Sequence, residues 1–158
     1  MVAWVFKTEP TECSVDDIAA AGVNGVLWEG VRNYQARNFL RDVVKIGDLV
    51  LIHHSSCELV GVVGLAEIVE TNIIDPSQFD PHSIYYDPKA DPKSPRWVAV
   101  RVRHIRKFPH VLSLAALREY PPLANMLLLK KGNRLSVMPI TDAELACVVT
   151  LVDNNPAG

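Results

Sequence analysis

No uncharged apolar run in this 158-residue chain approaches the roughly 20 residues that cross a bilayer, so no membrane span is expected. Cysteine is scarce. Cys13, Cys57 and Cys147 include no Cys-x-x-Cys pair, and an odd number in a chain without a leader argues against a disulfide framework. The N-terminal Met1-Val2-Ala3-Trp4-Val5-Phe6-Lys7 lacks the basic start, longer apolar stretch and small-residue cleavage site of a secretory leader, and a cytoplasmic location is expected. The common enzyme signatures are missing too: there is no Gly-x-Gly-x-x-Gly, no Gly-Lys-Ser/Thr phosphate cradle, no Gly-x-Ser-x-Gly and no His-Glu-x-x-His. His53, His54, His82, His104 and His110 have no zinc-type spacing with one another or with the cysteines, so neither a metal nor another cofactor is expected. His54 and Ser55 are chain neighbours, which a strand points to opposite faces, so they cannot act on each other as base and nucleophile.

What is present describes one folded domain. With 49% hydrophobic and 22% charged residues the chain can bury a sizeable core, and its length suits a single domain over residues 1–152 with a tail at 153–158. Val2 to Phe6 reads as a first strand. Ser14 and Asp17 have capping-box spacing before Val15, Ile18 and Ala19, which predicts a short helix ending near Gly22. Ala36, Phe39, Leu40 and Val43 form an inward stripe on a helix from about Asn33 to Asp42, leaving Tyr34, Arg37, Asn38 and Arg41 on its other face. Leu49 to His54 and Leu59 to Val69 read as two strands, the second bent at Gly61 and Gly64 as a sheet curling into a small barrel requires. Residues 72–95, with four Asp-Pro pairs, read as one long ordered loop or a pair of turns. The aspartates there serve turns and lack calcium-loop spacing. Arg96 to Phe108 alternates as a strand, Ser113 to Tyr120 is a short helix, and Met126 to Leu129 reads as a further strand. Thr141 and Glu144 open a C-terminal helix whose buried stripe is Leu145, Val148, Val149 and Val152. Strands interleaved with short helices predict an α+β domain whose sheet closes into a partial barrel.

The net charge of −2 hides a segregation of sign. The first 29 residues hold five acids and one base, whereas Lys93 to Lys107 holds six bases and no acid, and Pro121 to Ile140 adds Lys130, Lys131 and Arg134 without an acid. Mild overall acidity argues against tight, sequence-blind nucleic-acid binding but suits a local contact. Arg101 and Arg103 on one strand face, with Lys130 and Lys131, are the candidates for backbone phosphates.

Planar and hydrogen-bonding side chains accumulate as well. Trp4, Trp28, Tyr34 and Trp97 offer faces on which a base can stack, and Lys7, Thr8, Arg32, Asn33, Gln35, Ser55, Arg134 and Ser136 offer donors and acceptors for base edges and phosphates. Trp28 lies just before Gly30 and the helix starting near Asn33, which predicts a ring facing a cleft rather than the core.

Several segments resemble the EVE domain. They are Trp4-Val5-Phe6-Lys7-Thr8-Glu9-Pro10, Trp28-Glu29-Gly30-Val31-Arg32-Asn33-Tyr34-Gln35-Ala36-Arg37-Asn38, His54-Ser55, Tyr85-Tyr86-Asp87-Pro88-Lys89, Ser94-Pro95-Arg96-Trp97 and Arg134-Leu135-Ser136-Val137. The resemblance runs through nearly the whole chain in order, with Thr8, Glu29 and Ser56 departing from the usual residues. It implies a PUA-like partial β-barrel of about five to seven strands with short peripheral helices and a C-terminal helix. It also implies a non-enzymatic reader of nucleic acid, DNA or RNA, in which a modified base, commonly a modified cytosine, flips into an aromatic pocket. Carried over by position, that pocket draws on Lys7, Thr8, Glu9, Trp28, Arg32, Asn33, Tyr34, Gln35, His54, Ser55, Arg134 and Ser136. A monomer is expected, with a protein partner for any downstream action. Two other readings stay open: a protein-interaction module that keeps the fold without base binding, and a small hydrolase built on His54, Ser55 or Cys57.

Overall fold

The computed structural model of the protein describes residues 3–154, so Val2 at the expected start of the first strand and residues 155–158 of the expected tail lie outside the described residues. Six strands form one mixed sheet. They are β1 (Ala3–Thr8), β2 (Val26–Trp28), β3 (Leu49–His54), β4 (Gly61–Ile74), β5 (Val98–Leu112) and β6 (Val137–Ile140), ordered β2-β5-β4-β3-β1-β6. Only β1 and β3 run parallel; every other neighbouring pair is antiparallel.

Both faces are buried, because each inner strand alternates between two apolar sets. Trp4 and Phe6 of β1 with Val50 and Ile52 of β3 face one cluster, and Ala3 and Val5 with Leu51 face the other. The helices α1 (Val15–Ala20) and α2 (Tyr34–Asn38) contribute Ile18 and Ala36 to the first cluster. The helices α3 (Leu114–Arg118) and α4 (Asp142–Asn154) contribute Leu117, Val148 and Val152 to the second.

The sheet is strongly curled. Four strand positions separate β1 from β2, about 19 Å in a flat sheet at about 4.8 Å per strand. Yet the Phe6 and Trp28 rings stand 5.3 Å apart. The curvature comes from repeated register shifts along β4, at one of which Gly64 sits where a Cβ would come within 2.8 Å of the Arg106 carbonyl oxygen. The result is a partial barrel, as expected, with β2 and β6 as its edges.

The expected helix over 33–42 divides into α2 and a π-helical turn over Phe39–Val43. The wider turn shifts the stripe by one position, so Val44 is buried and Val43 is 40% exposed. Met126 to Leu129 is not a strand. Leu127–Leu129 is a short 3₁₀ turn that buries Met126 and Leu128; this run has no β-branched residue to favour extension. The capping boxes at Ser14–Asp17 and Thr141–Glu144 both form. In α4, Leu151 takes the buried place expected for Val149, and the helix runs through Asn154.

Candidate functional site

At the end of β1, between the sheet's two edges, lies a cavity of about 770 Å³. Its first wall is Lys7, Thr8 and Glu9. The Lys7 N–H donates to the Ser136 carbonyl at 2.8 Å, and the Ser55 N–H donates to the Thr8 carbonyl at 2.9 Å, which brings β6 and β3 to the same place. Arg134, Ser136 and Ser55 line the cavity beside them.

Trp28, Glu29 and Gly30 form the opposite wall. Trp28 is only 6% exposed and packs on Phe6, so it is core and cavity wall at once, a correction to the expectation that its ring avoids the core. Beyond it the chain turns at Gly30 (φ 85°), over which the Tyr85 ring lies so closely that a Cβ would stand 2.6 Å from a ring carbon. The Tyr85 hydroxyl donates to Glu12 Oε2 at 2.5 Å, joining two segments of the rim. Burial, then this bond and the charge of Glu12, push the Tyr85 pKa up.

One buried ion pair holds that wall in place. Asp75 is fully buried; its Oδ2 accepts from the Gly30 N–H and from Arg32 Nη1, both at 2.9 Å. Arg32 also donates to the Tyr85 carbonyl from Nε at 3.0 Å and Nη2 at 2.7 Å, and from Nη2 to Ser77 Oγ at 3.0 Å. Burial alone would raise the Asp75 pKa, but hydrogen bonds from Ser77, Gly30 and Arg32 hold it below the usual carboxylate range. Gln78, also fully buried, donates to the Asp75 and Trp97 carbonyls and accepts from the Arg96 and Trp97 N–H groups. The proline-rich segment is therefore an ordered scaffold.

Of the expected pocket residues, the structure brings together Lys7, Thr8, Glu9, Trp28, Ser55, Arg134 and Ser136. The others have different places. Arg32 is spent on Asp75 and Tyr85. Asn33 caps α2 by accepting from the Ala36 N–H at 3.0 Å. Tyr34 stacks on Trp97 with ring centroids 4.9 Å apart, and Gln35 is exposed on the same short helix. The His54 Nε2 accepts from the Val15 N–H at 3.1 Å and lines a second cavity with Cys57. Trp4 and Trp97 are buried, bonded through their indole N–H groups to Asp48 and Asp87, and offer no free face. Arg101 pairs with Glu70 at 3.1 Å and Arg103 with Glu67, so the basic strand face is compensated by its neighbour β4. Lys130, Lys131 and Arg134 are exposed and, among the described residues, make no ion pair.

Sequence reasoning missed Glu12, Glu29, Gly30 and Tyr85 as lining residues. Tyr85 lay in a quoted motif, and an aromatic pair in an Asp-Pro-rich loop was the available signal. Burial, then Asp17 and Glu12, raise the Cys13 pKa, which keeps this cavity thiol protonated and a poor nucleophile. Among the described residues no group of three or more His, Cys, Asp or Glu side chains is placed to hold a metal ion, and no helix is long and apolar enough to cross a membrane.

His53, paired in register with Lys7, is 2% exposed with both ring nitrogens unpartnered. Burial, then the charges of Lys7 and His54, lower its pKa from 6.5 to about 4. The unfolded chain therefore takes up a proton that the fold refuses, and stability falls as pH drops from 6.5 towards 4. At about 1.4 kcal/mol per unit the loss is about 3 kcal/mol. Urea titrations of His53→Leu are expected to show that much less loss over the same interval, at parental or better stability near pH 7, since no hydrogen bond is given up. Equal acid sensitivity in the two proteins would assign the loss to the carboxylates.

The chain matches the EVE domain over residues 2–151. It is 34% identical over 171 residues to thymocyte nuclear protein 1 of Homo sapiens, covering 98% of this chain and 75% of that protein. A crystal structure of a Pseudomonas putida protein superposes with a TM-score of 0.90 at 43% identity, over 95% of this chain and 99% of that one. The crystal structure of human THYN1 protein in complex with 5-methylcytosine-containing DNA superposes with a TM-score of 0.90 at 34% identity, over 97% and 98% of the two chains.

Proposed function

The chain belongs to the EVE domain family, and from that premise we propose that the cavity beside Trp28 receives a modified base, a modified cytosine, flipped out of a nucleic-acid strand. The observation carrying this is the cavity itself: about 770 Å³, within the roughly 300–1,000 Å³ of small-ligand sites, with Trp28 and Tyr85 in its walls and unpaired cations at its side. Stacking is worth about 1–3 kcal/mol per base, enough to offset the few kcal/mol of extruding one. DNA is the favoured strand because the human relative was crystallised on 5-methylcytosine-containing DNA; RNA is the other arm of the test. Lys130, Lys131 and Arg134 hold flanking phosphates, while Arg101 and Arg103, already paired, contribute less. The chain acts as a monomer and leaves downstream action to a protein partner.

The test is fluorescence anisotropy on DNA and RNA oligonucleotides differing in one base, cytosine or a modified cytosine, at two salt concentrations. The modified strand is expected to bind more tightly at both. Lys130→Ala with Lys131→Ala is expected to weaken binding to modified and unmodified strands alike and to lower the salt slope by about one per lost contact. Equal affinity for modified and unmodified strands of both kinds overturns the reading.

A further inference from the structure

The cavity is lined by more carboxylates than cations. Glu9, Glu12, Asp17 and Glu29 line it, against the cations Lys7 and Arg134. Two of the four are already engaged: Asp17 accepts from the Ser14 N–H at 2.8 Å as part of the α1 cap, and Glu12 accepts from Tyr85. Among the described residues the carboxylates of Glu9 and Glu29 accept no hydrogen bond and make no ion pair. Glu9 sits on the β1 wall with Lys7, whereas Glu29 directly follows Trp28 on the aromatic wall. Burial, then the charge of Asp75, raise the Glu29 pKa, and Arg32 partly offsets this. Glu29 and Glu12 thus offer carboxylate oxygens to a ring that enters the cavity beside Trp28. The cationic donors of the lining are Lys7 and Arg134.

Resting on the pocket reading above, we infer that Glu29 is the specificity-determining residue, accepting a hydrogen bond from the exocyclic amino group of the bound base and turning away rings that present a carbonyl there. The ligand class is thus an amino-bearing pyrimidine of the cytosine type. Thymine has the same ring and the same 5-methyl group as 5-methylcytosine, so size and stacking do not separate the two. They differ at position 4, an amino donor in one and a carbonyl acceptor in the other, and in the protonation of the adjacent N3. A carbonyl oxygen against the Glu29 carboxylate leaves two acceptors facing each other without a proton between them.

The experiment compares binding of oligonucleotides that carry 5-methylcytosine, thymine or an abasic site at one position. The parent is expected to prefer 5-methylcytosine over thymine by at least about tenfold, in the range of a base-edge hydrogen-bond pattern. Glu29→Gln, whose amide can turn its N–H to a carbonyl, is expected to bind thymine more tightly and reduce the preference several-fold. Glu29→Asp keeps the acceptor and is expected to keep the direction of preference. Glu119→Gln removes the same charge from an exposed position outside the cavity and is expected to leave the ratio unchanged. The inference is overturned if Glu29→Gln keeps the parental ratio, or if Glu119→Gln lowers it equally, which would make the effect one of net charge. A parent that binds 5-methylcytosine no better than the abasic strand defeats the pocket reading itself, a distinct outcome. Melting temperatures near the parent's are expected for all three variants, since among the described residues neither glutamate's side chain makes a hydrogen bond or an ion pair.

Discussion

Arg32→Ala is expected to lower the unfolding free energy by about 3–5 kcal/mol, because it leaves the fully buried Asp75 carboxylate without its cation. It also removes both bonds to the Tyr85 carbonyl, so the loop that seats the Tyr85 ring on Gly30 loses its anchor. Binding should therefore fall even at temperatures where the variant remains folded. Arg32→Lys restores the charge but not the planar fork that reaches Asp75, Ser77 and Tyr85 together, and recovers only part of the stability. Combining Arg32→Ala with Asp75→Asn removes the uncompensated charge, and that double variant should be less damaged than the two single losses added. Urea denaturation of the parent, Arg32→Ala, Arg32→Lys, Asp75→Asn and the double variant measures this. A loss below about 1 kcal/mol for Arg32→Ala would mean that Asp75 does not depend on Arg32.

Trp28→Ala is the second large effect, again about 3–5 kcal/mol, the usual cost of truncating a buried tryptophan. The ring packs against Phe6 across the curl of the sheet, so its removal opens a void between β1 and β2 as well as stripping the cavity wall. Trp28→Ala thus cannot separate stability from recognition. Trp28→Phe does so better. It keeps an aromatic face and most of the contact with Phe6, and should cost distinctly less stability while weakening binding of the modified base, since part of its stacking worth of about 1–3 kcal/mol goes with the smaller ring. If Trp28→Phe melts like the parent and binds the modified base unchanged, the ring has no part in recognition.

The helices with polar caps were legible in advance because their signals are local. Ser14, Ser113 and Thr141 cap the helices that follow them, and each bond closes within three residues. The short edges were not. β2 has three residues, and β6 has four and carries Pro139, which a strand tolerates where one side is free of pairing. Neither shows enough alternation to be recognised alone. The π-helical turn was equally hidden, since the apolar spacing at 36, 39, 40 and 43 reads as an ordinary helix.

The sequence by itself determined the class of the fold, its caps, the bend at Gly64, and seven residues that the structure gathers around one cavity. These rest on periodicity, local hydrogen bonds and motifs that stay together along the chain. Only the tertiary structure decided which side chains were already spent. Arg32, Asn33, Tyr34 and His54 have the right chemistry for a base or a phosphate, but Asp75, the Ala36 N–H, Trp97 and the Val15 N–H claim them first. Arg101 and Arg103 looked like a free basic face until β4 placed Glu70 and Glu67 beside them. Tyr85 entered the site from a loop 55 residues beyond Gly30, because its ring fits only over a residue without a Cβ. Partners of this kind are set by contacts between residues far apart in the chain, and no residue's type reveals whether its hydrogen bonds are still free.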